Sequence, residues 1–194
     1  MLNHRKTQIL YINACVRKQS RTALLADYLI TKLNGKSQTV NIKELALQPL
    51  DETMLTFRSK LIAQGNFNDK MFDLAKDFAA ADIIVMAAPY WDLSFPTWLK
   101  LYIEHININN IVFKFSPQGE VIPLCKAEKL YYITTKGGYN DDNFGFEYIK
   151  SLAQNFYGIK DIRLIKAEGL DISGTDIAAK ITQAQKDIDD LLDN

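Results

Sequence analysis

Three short stretches of this 194-residue chain gather residue types suited to holding a charged, flat ligand. The first is Arg17, Ser20, Arg21 and Thr22, where a polar loop turns into a segment with helical apolar spacing. Hydroxyls and guanidinium groups at a helix start, beside first-turn amides without partners, make a seat for one phosphate. The same residues also suit an ordinary helix start, with Ser20 as N-cap and two surface arginines. The second stretch is the loop Pro89, Tyr90, Trp91, Asp92 and Leu93, continuing to Phe95. Aromatic rings on so tight a loop cover something flat, pack against a partner or bury into the protein's own core. The third is Thr135-Lys136-Gly137-Gly138-Tyr139. Its glycines let the backbone approach a ligand and offer N–H groups to it, or simply turn a strand into a helix. No Walker or G-x-G-x-x-G pattern accompanies the three.

The apolar patterning shows what must position them. Ile83–Ala88 is an uninterrupted apolar run, as in a parallel strand covered on both faces. Pro89 has no N–H for a ladder and ends it. Pro96 has its φ preset for a first helical turn, with Ser94 or Phe95 at the cap. Thr7–Ala14 reads as another buried strand, and Ser20–Leu33 as a helix that Gly35 ends. Gln38–Lys43 alternates like a strand nearer the edge, Leu50 to about Gly65 is weakly helical, and Asn68–Ala80 is a helix. Thr97–Ile106 is helical, and Val112–Ile122 reads as a hairpin around Ser-Pro-Gln-Gly. Lys129–Thr134 and Asp161–Ala167 are strands, and Phe144–Tyr157 is a helix ended by Gly158. The last helix, Asp176–Leu192, carries Asp187, Asp189 and Asp190 near its end, with Asp193 just beyond. Like charge there opposes the dipole and predicts fraying.

Strands alternating with helices specify an α/β fold with helices on both faces of a parallel sheet. Five strands in this length suit a flavodoxin-like three-layer sandwich in strand order 2-1-3-4-5, spanning 1–194 as one domain. In such a sheet the ligand crevice opens at the carboxyl ends of the first and third strands. The three chemical stretches follow strands one, three and four, so they converge on one rim. A phosphate seat, an aromatic shelf and a glycine turn together describe a site for a flat phosphorylated ligand.

Bulk composition narrows the partners. Lys plus Arg equals Asp plus Glu at 23 each, so no global field draws nucleic acid or an anionic membrane. The polar start MLNHRKTQ lacks the features of a signal peptide, and no run approaches membrane-spanning length. Two distant cysteines, Cys15 and Cys125, suit a reducing, cytoplasmic setting. His4 and His105 stand apart from any ligand set, so no metal is expected; His105 reads as structural.

The chain resembles the flavin-dependent NAD(P)H oxidoreductases of the azoreductase and quinone reductase group. The resemblance rests on S-R-T at Ser20–Thr22, A-A-P-Y-W-D-L-S-F-P-T-W-L-K at Ala87–Lys100, T-T-K-G-G at Thr134–Gly138 and A-E-G at Ala167–Gly169. It implies a homodimer with one FMN per subunit at the dimer edge. It also implies ping-pong hydride transfer from NADH or NADPH through the flavin to quinone, azo or nitroaromatic acceptors. On matching positions, Ser20 and Thr22 would hold the FMN phosphate, with Arg17 or Arg21 assisting. Pro89, Tyr90, Trp91, Asp92 and Leu93 would line the isoalloxazine edge, and Thr135, Gly137, Gly138 and Tyr139 the rest of the ring. No catalytic acid or base is implied, because the flavin carries the chemistry.

Two positions depart from the group's pattern. Cys15-Val16 stands where a small residue and proline are common. A thiol beside a phosphate seat can have a lowered pKa, although a small buried side chain is the plainer reading. Asp92 stands where Asn is common, so it either contributes only backbone or lowers the flavin's potential. Two other functions fit the fold: a flavodoxin-type electron carrier, and a cofactor-free interaction protein. Carriers tend to be strongly acidic, whereas this chain is neutral.

Overall fold

The computed structural model describes residues 6–139 and 142–193, so His4 lies outside them. In chain order the elements are β1 (Gln8–Asn13), α1 (Arg21–Lys32), β2 (Lys36–Asn41), α2 (Glu52–Ala63) and α3 (Asp73–Ala80). Then come β3 (Ile83–Ala87), α4 (Thr97–Ile106), β4 (Phe113–Phe115), β5 (Val121–Pro123), β6 (Lys129–Thr135), α5 (Phe144–Leu152), β7 (Asp161–Ala167) and α6 (Ile177–Asp193).

Five strands pair in parallel in the order β2-β1-β3-β6-β7. The numbers of the last two are set by β4 and β5, which pair antiparallel as a separate hairpin. Successive side chains of a strand point to opposite faces, and the core divides accordingly. Leu10, Ile12, Ile84, Met86, Leu130 and Tyr132 face a cluster completed by α3, α4 and α5. Ile9, Tyr11, Val85, Ala87, Tyr131 and Ile133 face a second cluster with α1 and α6. β3 lies mid-sheet and its residues 84–87 are fully buried, as its unbroken apolar run requires. β2 is an edge strand that buries only Val40, which is why its sequence alternates weakly.

Several sequence expectations shift in detail. β2 starts two residues before the expected Gln38 and stops at Asn41, where a short 3-10 turn takes over at Ile42–Glu44. Gly35 does not cap α1: the cap is Leu33, whose N–H donates to Leu29 O. Gly35 is needed for close approach instead, since a Cβ there would lie 2.7 Å from Thr7 O and 2.8 Å from Ile9 Cδ1. The Asn68–Ala80 helix is a 3-10 turn at Lys70–Phe72 followed by α3. The α4 cap is Pro96 itself, without a side-chain cap bond, rather than Ser94 or Phe95. The Phe144–Tyr157 helix widens into a π turn over Ala153–Tyr157 before left-handed Gly158 ends it. α6 runs to Asp193, and its end is held rather than frayed: Asp189 accepts from Tyr28 Oη at 2.7 Å and pairs with Lys32 Nζ at 2.9 Å. His105 Nε2 lies 2.8 Å from Gln48 O, a structural contact.

Candidate functional site

A cleft of about 310 Å³ opens at the carboxyl ends of β1, β3, β6 and β7. Its volume lies in the range of small-molecule sites. Arg17, Ser20, Arg21 and Thr22 line it, with Pro89, Tyr90, Trp91, Thr135 and Gly137. Thus nine of the thirteen residues expected from the sequence meet in one place.

The first wall is the start of α1. Ser20 has extended backbone and its Oγ accepts from Ala23 N at 3.2 Å, a standard N-cap. That bond, with Leu24 N donating to Ser20 O, leaves the amides of Arg21 and Thr22 without helical acceptors. Thr22 is fully buried and its Oγ1 lies 2.7 Å from Thr135 Oγ1, so these two hydroxyls satisfy each other across the cleft floor. The two arginines differ. Arg17 is exposed and has no ion pair among the described residues. Arg21 donates from Nη1 to Leu170 O at 3.2 Å and to Asp171 Oδ1 at 3.0 Å, tying α1 to the loop after β7.

The second wall is the loop after β3. Tyr90 N donates to Thr135 O at 3.1 Å, and its hydroxyl donates to Asp142 O at 3.0 Å. Trp91 and Ser94 exchange two backbone bonds, 3.1 and 2.8 Å, closing a two-residue turn. Its central residues, Asp92 (φ 49°) and Leu93 (φ 66°), are both left-handed, as a type I′ turn requires. They form the turn's tip and lie outside the cleft lining, with Leu93 45% exposed.

The third wall pairs the loop after β6 with the loop after β7. Lys136, Gly137 and Gly138 give their carbonyls to Leu170, Asp171 and Gly169 amides at 3.1, 2.9 and 3.1 Å. Neither Gly137 nor Gly138 has positive φ. A Cβ on Gly137 would lie 2.5 Å from Asp171 Oδ2, whereas one on Gly138 would meet nothing within 4 Å. Gly137 lines the cleft and also makes room for the protein's own Asp171, whereas Gly138 stands outside the lining. Tyr139 is also outside it, 62% exposed over Gly169, with its hydroxyl accepting from Lys180 Nζ at 3.1 Å.

Sequence reasoning missed Val16, Gln19, Lys136, Leu170 and Asp171, which also line the cleft. Lys136 sat in plain view between two threonines and two glycines. Leu170 and Asp171 follow the A-E-G stretch directly, and that adjacency was the available signal. Cys15 is the small buried side chain of the plainer reading. It is buried, and burial pushes the thiol up to about 11. Glu168 beside the cleft goes the other way. Burial raises its pKa, but the ammonium groups of Lys166 and Lys136 beside it outweigh burial and hold the carboxyl below its usual value.

Known proteins share this architecture. A family described as having a flavodoxin-like fold matches residues 7–192. The FMN-dependent NADH:quinone oxidoreductase 2 of Clostridium acetobutylicum is 34% identical over 183 residues, 88% of this chain and 90% of that one. A FMN-dependent NADH:quinone oxidoreductase of Clostridium perfringens is 29% identical over 186 residues, 91% of this chain and 93% of that one. Among solved structures, an azoreductase from Bacillus anthracis superposes with a TM-score of 0.81 at 18% identity, covering 95% of this chain and 98% of its own. A FMN-dependent NADH-azoreductase of the same organism, solved with FMN, gives 0.79 at 21% identity over 95% and 97%. At those identities the superpositions establish the fold; the sequence matches go further, and place this chain in the flavodoxin-like family, among the FMN-dependent NADH:quinone oxidoreductases.

Proposed function

We propose that the cleft seats FMN and that the chain passes electrons from NADH to a quinone or azo acceptor. The observation that carries this reading is the donor set of the cleft. The α1 amides without helical acceptors and exposed Arg17 stand at one end, with Tyr90 and Trp91 alongside. That chemistry fits a flat group bearing a phosphate. Bound FMN would supply the two-electron exchange between donor and acceptor.

The chain's own residues bind and orient. The α1 amides, Ser20 and Arg17 hold the phosphate, and Arg21 stays on Asp171 as a brace between α1 and the β7 loop. Thr22 and Thr135 pin the floor through their shared hydroxyl contact. Trp91, 40% exposed, is the flat surface left for the ring system. The turn tip of Asp92 and Leu93 contributes backbone N–H groups, and no side chain is required to move a proton. Gly138 and Tyr139 contact the ligand only from the rim.

Donor and acceptor then use one cleft in alternation, a ping-pong cycle, and nitroaromatics qualify as acceptors for the same flat shape. NADH as donor, in preference to NADPH, is supported by the names of the relatives. We take the chain to act as a homodimer, supported by the exposed Leu93, Tyr139 and Phe144 near the cleft. A cytoplasmic setting is supported by two unpaired cysteines.

The test is the visible spectrum of the purified protein before and after anaerobic NADH. A flavin spectrum that bleaches is the expected result. Bound flavin that NADH leaves oxidised points to an electron carrier. A colourless protein that does not take up added FMN overturns the reading.

A further inference from the structure

Among the described residues, Lys136 is the one charged side chain that the fold buries, at 3% exposure. Its ammonium meets groups on three segments. Nζ lies 3.2 Å from Glu168 Oε1, an ionic contact without hydrogen-bond alignment, and donates to Asp142 O at 3.2 Å. It also sits 4.5 Å from the centre of the Tyr90 ring. Tyr90 Oη donates to the same Asp142 carbonyl, so ring, ammonium and carbonyl form one closed unit. Glu168 has a second cation, Lys166 Nζ at 2.6 Å.

Burying an ammonium costs free energy that its partners only partly return, and an apolar side chain of similar length serves a core at least as well. What a lysine here adds is fixed geometry. It covers one face of the Tyr90 ring, so only the other face and the edge remain for the cleft. It also joins the loops after β3, β6 and β7 to the approach to α5.

We propose that Lys136 is a positioning residue, which sets the Tyr90 ring and the start of α5 in the arrangement the cofactor meets. The groups around the cleft are then ordered before binding, and affinity rises for that reason. This inference rests on the FMN reading above.

The test compares the full chain with Lys136→Met and Lys136→Arg. In the Met variant Glu168 keeps Lys166, and the stem's apolar packing is preserved, so the unfolding midpoint of the cofactor-free chain stays near wild type. In that cofactor-free chain, hydrogen exchange at the Tyr90 and Phe146 amides should quicken by about tenfold, because their anchored ends are released. The FMN dissociation constant, read from flavin fluorescence quenching, should rise by about tenfold or more. Lys136→Arg keeps a cation over the ring and should recover most of the affinity. Unchanged exchange and affinity in the Met variant overturn the proposal. So does an affinity loss that only follows a lowered unfolding midpoint or that arginine does not rescue. If the wild type takes up no FMN while exchange still responds to Lys136→Met, the cofactor reading fails and the loop-fixing role stands.

Discussion

The Trp91–Ser94 turn holds two consecutive non-glycine residues in left-handed backbone, while the Gly137-Gly138 segment that shares its cleft has no positive φ at all. The second segment is tied by three carbonyls to residues 169–171 and backed by the buried Lys136–Glu168 pair. The first has two backbone bonds of its own and carries Trp91 and Leu93, both well exposed. Left-handed backbone costs a non-glycine residue about 1–2 kcal/mol, so the turn stores strain where the glycine segment stores none. One side of the cleft is therefore fixed by bonds, and the other is held in a shape its own sequence resists. The glycines lie where space is short, and the strain lies where a ligand has most to gain from a preset shape.

This contrast breaks first at Glu168. Glu168→Gln takes a carboxylate away from the buried Lys136 ammonium and should cost about 3 kcal/mol, measured by urea unfolding. The pH dependence follows. The folded carboxyl titrates below the ordinary glutamate value, so its contribution is complete above that value and disappears as pH falls through the folded one. Wild-type stability should decline below about pH 4, and the Gln variant should decline less steeply.

Gly169→Ala comes next in size. It puts a side chain at φ 76° and its Cβ 2.4 Å from the Tyr139 ring, so a loss of about 2 kcal/mol in the same assay is expected. Leu93→Gly should act with the opposite sign. It releases left-handed strain and loses little burial, giving up to about 1 kcal/mol of added stability with weaker FMN uptake. If uptake is unaffected, the turn's preset shape does not matter for binding. Asp92→Asn should do least: Asn tolerates the left-handed conformation, and the turn tip lies outside the cleft lining. The flavin potential should stay where it is, and a clear rise would bring the Asp92 side chain back to the ring.

The sheet was legible because burial on both faces leaves no freedom in composition. Ile83–Ala87 had to be apolar throughout, and Pro89 had to end it. Ser20 was legible as a cap because capping is local chemistry. What escaped depends on residues far apart in sequence. Gly35 reads as a helix stop, yet its need is set by Thr7 and Ile9. Arg21 reads as a phosphate ligand until Asp171, 150 positions away, claims it. Lys136 looks like any solvated lysine, because nothing in T-T-K-G-G shows that Tyr90, Asp142 and Glu168 close over it. The left-handed pair at Asp92 and Leu93 carries no glycine to announce it.

The parallel sheet also governs when the cleft can exist. Each of its four pairings joins strands separated by at least one helix, so no two of the five can zip together through a short turn. Such pairing is slow, because long loops must close before any contact rewards them. The β4–β5 hairpin can close in microseconds, but it supplies nothing to the cleft. The ends of β1, β3, β6 and β7 come together only once the sheet is complete. During refolding, flavin capture should therefore be among the last events, trailing the recovery of helical signal.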